Sequence, residues 1–202
     1  MITGTGRIRA AALPVEERRA AIVEAALPLF LEHGATLTTR EIAQAAGIAE
    51  GTIFRVFDDK VALLEAMIDA ALDPEPVEAA LRAIDPALAF DARLVAAVDI
   101  LRARVAHVFR VLSAVSTTAS GDGNPRRRTR GPAPEYRALI RLFESEAAQL
   151  TLDAVESARL LRGLTFACTH SAFAIGEPLS SEEIVSVLLD GIRRSPLGAT
   201  TC

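Results

Sequence analysis

An all-α fold is what this sequence predicts, and three observations carry it. Half of the 202 residues are hydrophobic, yet aromatics make up only 4%, alanine and leucine dominate, and β-branched runs are short. Apolar residues recur at i, i+3, i+4 and i+7 through most of the chain. Two S/T-x-x-E signatures, Thr38 to Glu41 and Ser180 to Glu183, stand where helices should begin.

Length and composition set bounds on function. A chain of 202 residues can bury one large core, or a small domain beside a larger one. Two cysteines, Cys168 and Cys202, cannot build a disulfide framework, which fits a reducing interior. The opening residues MITGTGRIRAAALP lack an apolar core behind their charges, so no signal peptide is expected. No apolar run reaches the ~18 residues of a membrane span. The expectation is a cytoplasmic protein with no membrane partner. A net charge of −4 disfavours diffuse attraction to nucleic acid. The first 72 residues carry 7 Lys/Arg against 10 Asp/Glu, or 7 − 10 = −3. Any DNA-binding face must therefore concentrate its few cations locally.

Taken in order, residues 1–13 read as a flexible arm carrying Arg7 and Arg9. Pro14 to Gly34 is the first helix. Its stripe is Ile22, Ala25, Ala26, Leu29 and Phe30, and a kink is expected at Pro28. Arg18 and Arg19 near its start face either phosphates or solvent. The second helix opens at the Thr38 capping box, and Gly47 ends it in a left-handed turn. A third short helix spans roughly Glu50 to Val56, with Ile53 inward. Asp58 then caps a fourth helix with Val61, Leu64, Met67, Ile68 and Ala71 on one face. Asp73-Pro74-Glu75-Pro76 breaks it, which divides the chain into domains of residues 14–73 and 74–202.

The second domain begins with a short helical piece near Val77–Ile84. A long helix follows from about Ala87 to Val115, striped by Phe90, Leu94, Val98, Leu101, Val105, Phe109 and Leu112. Ser116 to Pro134, rich in Ser, Gly and Pro, reads as a long loop, and its Arg126, Arg127, Arg128 and Arg130 as solvated. Glu135–Leu150 is a helix with Tyr136, Leu139, Ile140 and Phe143 inward. Asp153–Gly176 is helical and nearly free of charge in its second half. The last helix runs from Ser180 to about Arg194.

Ala43, Gly47 and Ile53 lie four and then six residues apart. That spacing suits a helix-turn-helix: a small residue where helices touch, glycine in the turn, an aliphatic locking the second helix. The longer pattern Thr39-x-x-Ile42-Ala43-x-x-Ala46-Gly47-Ile48-x-x-Gly51-Thr52-Ile53-Phe54-x-x-Phe57-x-x-Lys60-x-x-Leu63-Leu64 resembles the DNA-binding domain of the TetR family of bacterial transcriptional regulators. The resemblance covers about the first third of the chain. It implies an N-terminal three-helix DNA-binding domain with a linking fourth helix. It also implies a C-terminal helical domain for ligand binding and dimerisation.

The candidate DNA contacts are Thr38, Thr39, Arg40, Glu50, Gly51, Thr52, Phe54, Arg55 and Lys60. Thr38 and Thr39 stand at a helix N-terminus, which suits phosphate. Gly51 allows close backbone approach, and Thr52 offers a hydroxyl or methyl. Arg55 is long enough to reach guanine with two donors. Lys60 can pair with a phosphate. Glu50 repels phosphate and instead suits a cytosine amino group. Each has a plainer reading: the threonines as caps, Arg55 as solvated, Gly51 as relief of crowding. The family usually has tyrosine at Phe54 and often histidine at Val56, so two phosphate donors are missing here.

The resemblance further implies a homodimer through the last two helices, a double-stranded DNA operator of roughly palindromic sequence, and a small effector. Small residues Gly163, Ala167, Ala172 and Ala174 permit close helix approach, and Val185, Leu188, Leu189 and Ile192 give the last helix a sticky face. Candidate effector contacts are His107, Phe109, Phe143, Phe166, Cys168, His170 and Phe173, for each of which core or interface packing is the plainer reading. Few charges lie in these stripes, so a small, mostly apolar effector is expected. No cofactor and no metal is expected. An enzyme is disfavoured: Cys168 and His170, two apart on a helix, point about 200° apart. The remaining alternative is a dimeric helical interaction protein that has lost operator binding.

Overall fold

The computed structural model describes residues 14–116, 135–169 and 177–193. The arm at 1–13, the arginine-rich segment, His170, Ala172, Phe173, Ala174 and Cys202 lie outside them. Among the described residues the fold is helical, with one isolated bridge between Leu150 and Arg193. No described helix is long and apolar enough to cross a membrane.

Two compact units form. The described residues up to Ala71, with Ser113–Ser116, make one. Leu72–Leu112 and the described residues from 135 onward make the other.

The first unit is built from α1 (Val15–His33), α2 (Thr39–Ala45), α3 (Glu50–Ile53) and α4 (Lys60–Ala71), with a 3-10 turn at Gly34–Thr36. The core side of α1 is Ile22, Val23, Ala26 and Phe30, so Val23 is buried while Ala25 and Leu29 are only half-buried. The helix continues through Pro28. Pro28 and Glu24 are both exposed, so water can reach the Glu24 carbonyl that proline leaves without a donor. On α4 the buried residues are Leu63, Leu64, Met67, Ile68 and Ala71, whereas Val61 is 43% exposed. Asp59, not Asp58, caps α4: its carboxylate accepts from the Ala62 N–H at 2.7 Å. Ile42, Ile53, Phe57, Leu63 and Met67 are almost wholly buried, which roots the short helices in one core.

The second unit contains α5 (Glu75–Arg82), α6 (Phe90–Ser116) as far as Leu112, α7 (Arg137–Glu144), α8 (Ala154–Thr169) and α9 (Ser181–Ile192). Each Asp-Pro punctuation forms a side-chain turn. The Asp73 carboxylate accepts from Glu75 N–H at 3.0 Å, and that of Asp85 from Ala87 N–H at 2.8 Å. α7 is shorter than the periodicity suggests, because Ala147–Gln149 tightens into a 3-10 turn. Glu78 on α5 caps α7 by accepting from the Ala138 N–H at 2.9 Å. The core joins Leu94, Val98 and Leu101 of α6 to Leu139 and Phe143 of α7, Leu161 of α8, and Ile184, Leu188 and Ile192 of α9. Phe143 meets Phe90 edge to face at 5.9 Å.

Candidate nucleic-acid interface

α2 is fixed at both ends by its own sequence. The Thr38 hydroxyl accepts from Glu41 N–H at 3.3 Å, and the Thr38 N–H donates to the Glu41 carboxylate at 2.8 Å. The same hydroxyl donates to that carboxylate at 2.7 Å. The Thr38 hydroxyl, and after it the Thr38 backbone N–H, hold the Glu41 carboxyl below its usual range. At the other end Gly47 takes φ +64°. Its N–H donates to Gln44 C=O at 3.2 Å, and the Ile48 N–H to Ala43 C=O at 3.0 Å. This paired closure is what a left-handed residue after a helix provides.

The turn then delivers α3. The helix is shorter than expected, Glu50–Ile53, and continues as a turn through Val56. The Val56 and Phe57 N–H groups both donate to Ile53 C=O at 2.9 Å. Ile53 is 0% exposed and anchors the segment, Thr52 is half-buried, and Glu50, Gly51, Phe54 and Arg55 face solvent. Phe54 is 51% exposed, an expensive position for an aromatic ring with no ligand. A Cβ built on Gly51 meets nothing within 4 Å. Relief of crowding inside the chain therefore does not explain that glycine.

Other predicted contacts are placed as follows. Arg40 is exposed, and Lys60 is the half-buried first residue of α4. Both threonine hydroxyls at the start of α2 are bonded within the chain. The Thr38 proton goes to Glu41, and the Thr39 hydroxyl donates across eleven residues to the Glu50 carboxylate at 2.5 Å. Each hydroxyl carries one proton, so a phosphate could receive either only after the internal bond breaks. One contact the sequence does not announce is Arg19 on α1, whose guanidinium lies 4.4 Å from the centre of the Phe57 ring. Its charge packs over the core, a third outcome beside the phosphate and solvent readings.

The effector candidates in the second unit separate. Phe109 and Phe166 come together, stacked at 6.0 Å, with Phe166 43% exposed. His107 and Cys168 are half-buried. Phe143 is 0% exposed in the core, where it meets Phe90. The sticky face expected on α9 is also used internally: Val185, Leu188, Leu189 and Ile192 are all buried within their own unit. Among its apolar residues and glycines, α9 leaves Val187, at 55% exposure, and Gly191 outside, beside exposed Ser186 and Asp190; α8 leaves Val155, Leu160, Gly163, Phe166 and Ala167, beside exposed Arg159. Among the described residues no group of three or more His, Cys, Asp or Glu could hold a metal ion.

Comparison with known proteins agrees with this geometry. Residues 22–67 match the family model described as bacterial regulatory proteins, tetR family. No curated protein matches the chain in sequence. Among solved structures, a protein from Mesorhizobium loti assigned to the TetR family of transcriptional regulators superposes with a TM-score of 0.64 at 16% identity, covering 91% of this chain and all of that one. A protein from Pseudomonas aeruginosa PAO1 described as a transcriptional regulator gives 0.57 at 23% identity, over 91% of this chain and 94% of the other. The superantigen PfiT gives 0.57 at 22%, over 91% and 100%. At these identities the likeness establishes the fold, and a superantigen among its bearers shows that the fold does not fix the function. The matched segment spans α2, the turn at Gly47 and α3 whole, so over residues 22–67 the chain is similar to the model of the tetR family of bacterial regulatory proteins.

Proposed function

We propose that the chain is a transcriptional regulator that binds a palindromic double-stranded DNA operator as a homodimer. We propose further that it acts as a cytoplasmic repressor released by a small, mostly apolar effector. The observation that carries the DNA reading is the outer face of α3. Glu50, Gly51, Phe54 and Arg55 are all exposed, on a segment rooted by buried Ile53, within the family-matched stretch. A short rigid element with a bare backbone and one long cation suits the major groove. In this reading residues 14–73 form the DNA-binding domain, residues 74–202 hold effector and partner, and Arg40, Thr52 and Lys60 supply further contacts.

The dimer reading is supported by Leu160, Gly163 and Ala167 on α8 and Val187 and Gly191 on α9, all exposed. A Cβ at either glycine meets nothing within 4 Å, so both leave room for a second copy. The Phe109–Phe166 stack is the best-supported place for an apolar effector, with His107 and Cys168 as further candidates beside His170 and Phe173. Effector binding would favour a dimer whose recognition helices no longer match the operator spacing.

The test is an electrophoretic shift with the gene's own promoter region, using wild type and Arg55→Ala. The proposal expects a dimer-sized complex for the wild type and a marked loss of affinity for the variant at unchanged melting temperature. Unchanged affinity would remove Arg55 from the interface. No wild-type complex on any promoter fragment would favour the rival reading, a dimeric interaction protein without operator binding.

A further inference from the structure

The bond between Thr39 and Glu50 says more than that α2 and α3 touch. Glu50 opens α3 and is exposed, yet one carboxylate oxygen is held by the Thr39 hydroxyl at 2.5 Å. A carboxylate offers about four acceptor positions and no donor. Fixing one oxygen therefore aims the group while leaving acceptor capacity outward. Glu50 and Phe54 lie one helical turn apart, both exposed, with Gly51 bare beside them. The Glu50 side chain is thus exposed and yet held at one oxygen.

Consider what such a face accepts. Every phosphate is repelled, so Glu50 brings no general affinity. In the major groove guanine offers acceptors at N7 and O6, and thymine offers O4, all of which a carboxylate rejects. Only the amino groups of cytosine and adenine donate there. Adenine carries the N7 acceptor beside its amino group, whereas cytosine presents its N4 amino group with no acceptor of its own alongside. Cytosine is the partner that asks least of a fixed anion.

We propose that Glu50, positioned by Thr39, is a specificity-determining residue that accepts from the N4 amino group of a cytosine, so that each operator half-site carries a C·G pair opposite the first turn of α3. This rests on the reading that α3 enters the major groove. Thr39 is a positioning residue in this scheme, since its proton goes to Glu50 and not to DNA.

The test is selection from random duplexes with the full chain as wild type, Glu50→Gln, Thr39→Val and Thr39→Ser. Wild type should select a half-site with one fixed cytosine. Glu50→Gln should move that single position towards adenine, which glutamine can bond at N6 and N7, and change the discrimination there by roughly 5- to 150-fold while other positions hold. Thr39→Val should blur the same position, and Thr39→Ser should keep it sharp. A consensus unchanged by Glu50→Gln, or altered evenly at all positions, overturns the assignment of Glu50. A consensus untouched by Thr39→Val overturns the positioning role. A wild-type chain that selects no sequence at all overturns the DNA reading itself, which is a separable result.

Discussion

The outer face of α3 and the outer faces of α8 and α9 make the same unusual choice for different neighbours. Each sets a glycine in a helix where the missing Cβ would meet nothing within 4 Å: Gly51 in α3, Gly163 in α8, Gly191 in α9. None of the three has a positive φ. A glycine inside a helix costs about 0.5–1 kcal/mol against alanine, and here the fold recovers none of it. Gly47 is the contrast, because its φ of +64° is a conformation that the turn itself needs. What separates the first two regions is their surroundings. Gly51 lies beside Glu50, Phe54 and Arg55, while Gly163 and Gly191 lie near Leu160, Ala167 and Val187. Bare backbone among charges suits a polar polymer with a readable edge. Bare backbone among aliphatics suits another apolar helix.

The comparison breaks most visibly at the aliphatic face. If the proposed dimer forms through this face, Leu160→Glu combined with Val187→Glu should leave a monomer in analytical ultracentrifugation, with helical circular dichroism retained because both residues are exposed. A persistent dimer would place the interface elsewhere. Ile53→Ala should next cost about 2–5 kcal/mol in urea unfolding, since it empties a wholly buried site that holds α3 on its core. DNA binding should fall together with stability here, whereas Arg55→Ala should lose binding at unchanged stability. Phe54→Tyr should tighten operator binding roughly tenfold in a fluorescence titration, by restoring a donor to a ring that is already exposed. No gain would show that this ring faces bases and not phosphate.

A smaller effect concerns the start of α2. Thr38→Ala should cost about 1 kcal/mol at neutral pH. The Glu41 carboxyl is held below its ordinary value of 4.5 in the folded chain. Its contribution is therefore fully present above 4.5 and is lost as pH falls through the lower folded value. The gap between wild type and Thr38→Ala in urea midpoints should narrow between pH 7 and pH 3.

Much of the first unit was legible because its signals are local. The Thr38–Glu41 box spans three residues, and the Gly47 closure uses neighbours within five. Ile53 follows from spacing, and Phe57 from the family resemblance. The contacts that escaped the sequence join distant positions: Thr39 to Glu50, Arg19 to Phe57, Glu78 to the start of α7. No periodicity encodes them. α3 stops short of Val56 despite the helical composition of Phe54 to Val56, because Arg55 N–H turns onto the Thr52 carbonyl and Val56 N–H onto that of Ile53. On α9 the pattern identified an apolar face correctly, yet could not say whether it meets its own core or a second copy. The hydrophobic effect has no direction, so period alone cannot separate the two. Burial in the folded chain does: this face meets its own core, while Val187 and Gly191 stay exposed.

The central claim, that the outer side of α3 is kept bare for DNA, is tested most directly by Gly51→Leu in one paired measurement of melting temperature and operator affinity. No atom of the chain lies where the added Cβ would go, and leucine is the better helix former. The account predicts a protein as stable as wild type, or more stable by about 0.5 kcal/mol, that binds its operator at least tenfold more weakly. Equal affinity in a stable Gly51→Leu protein would contradict it.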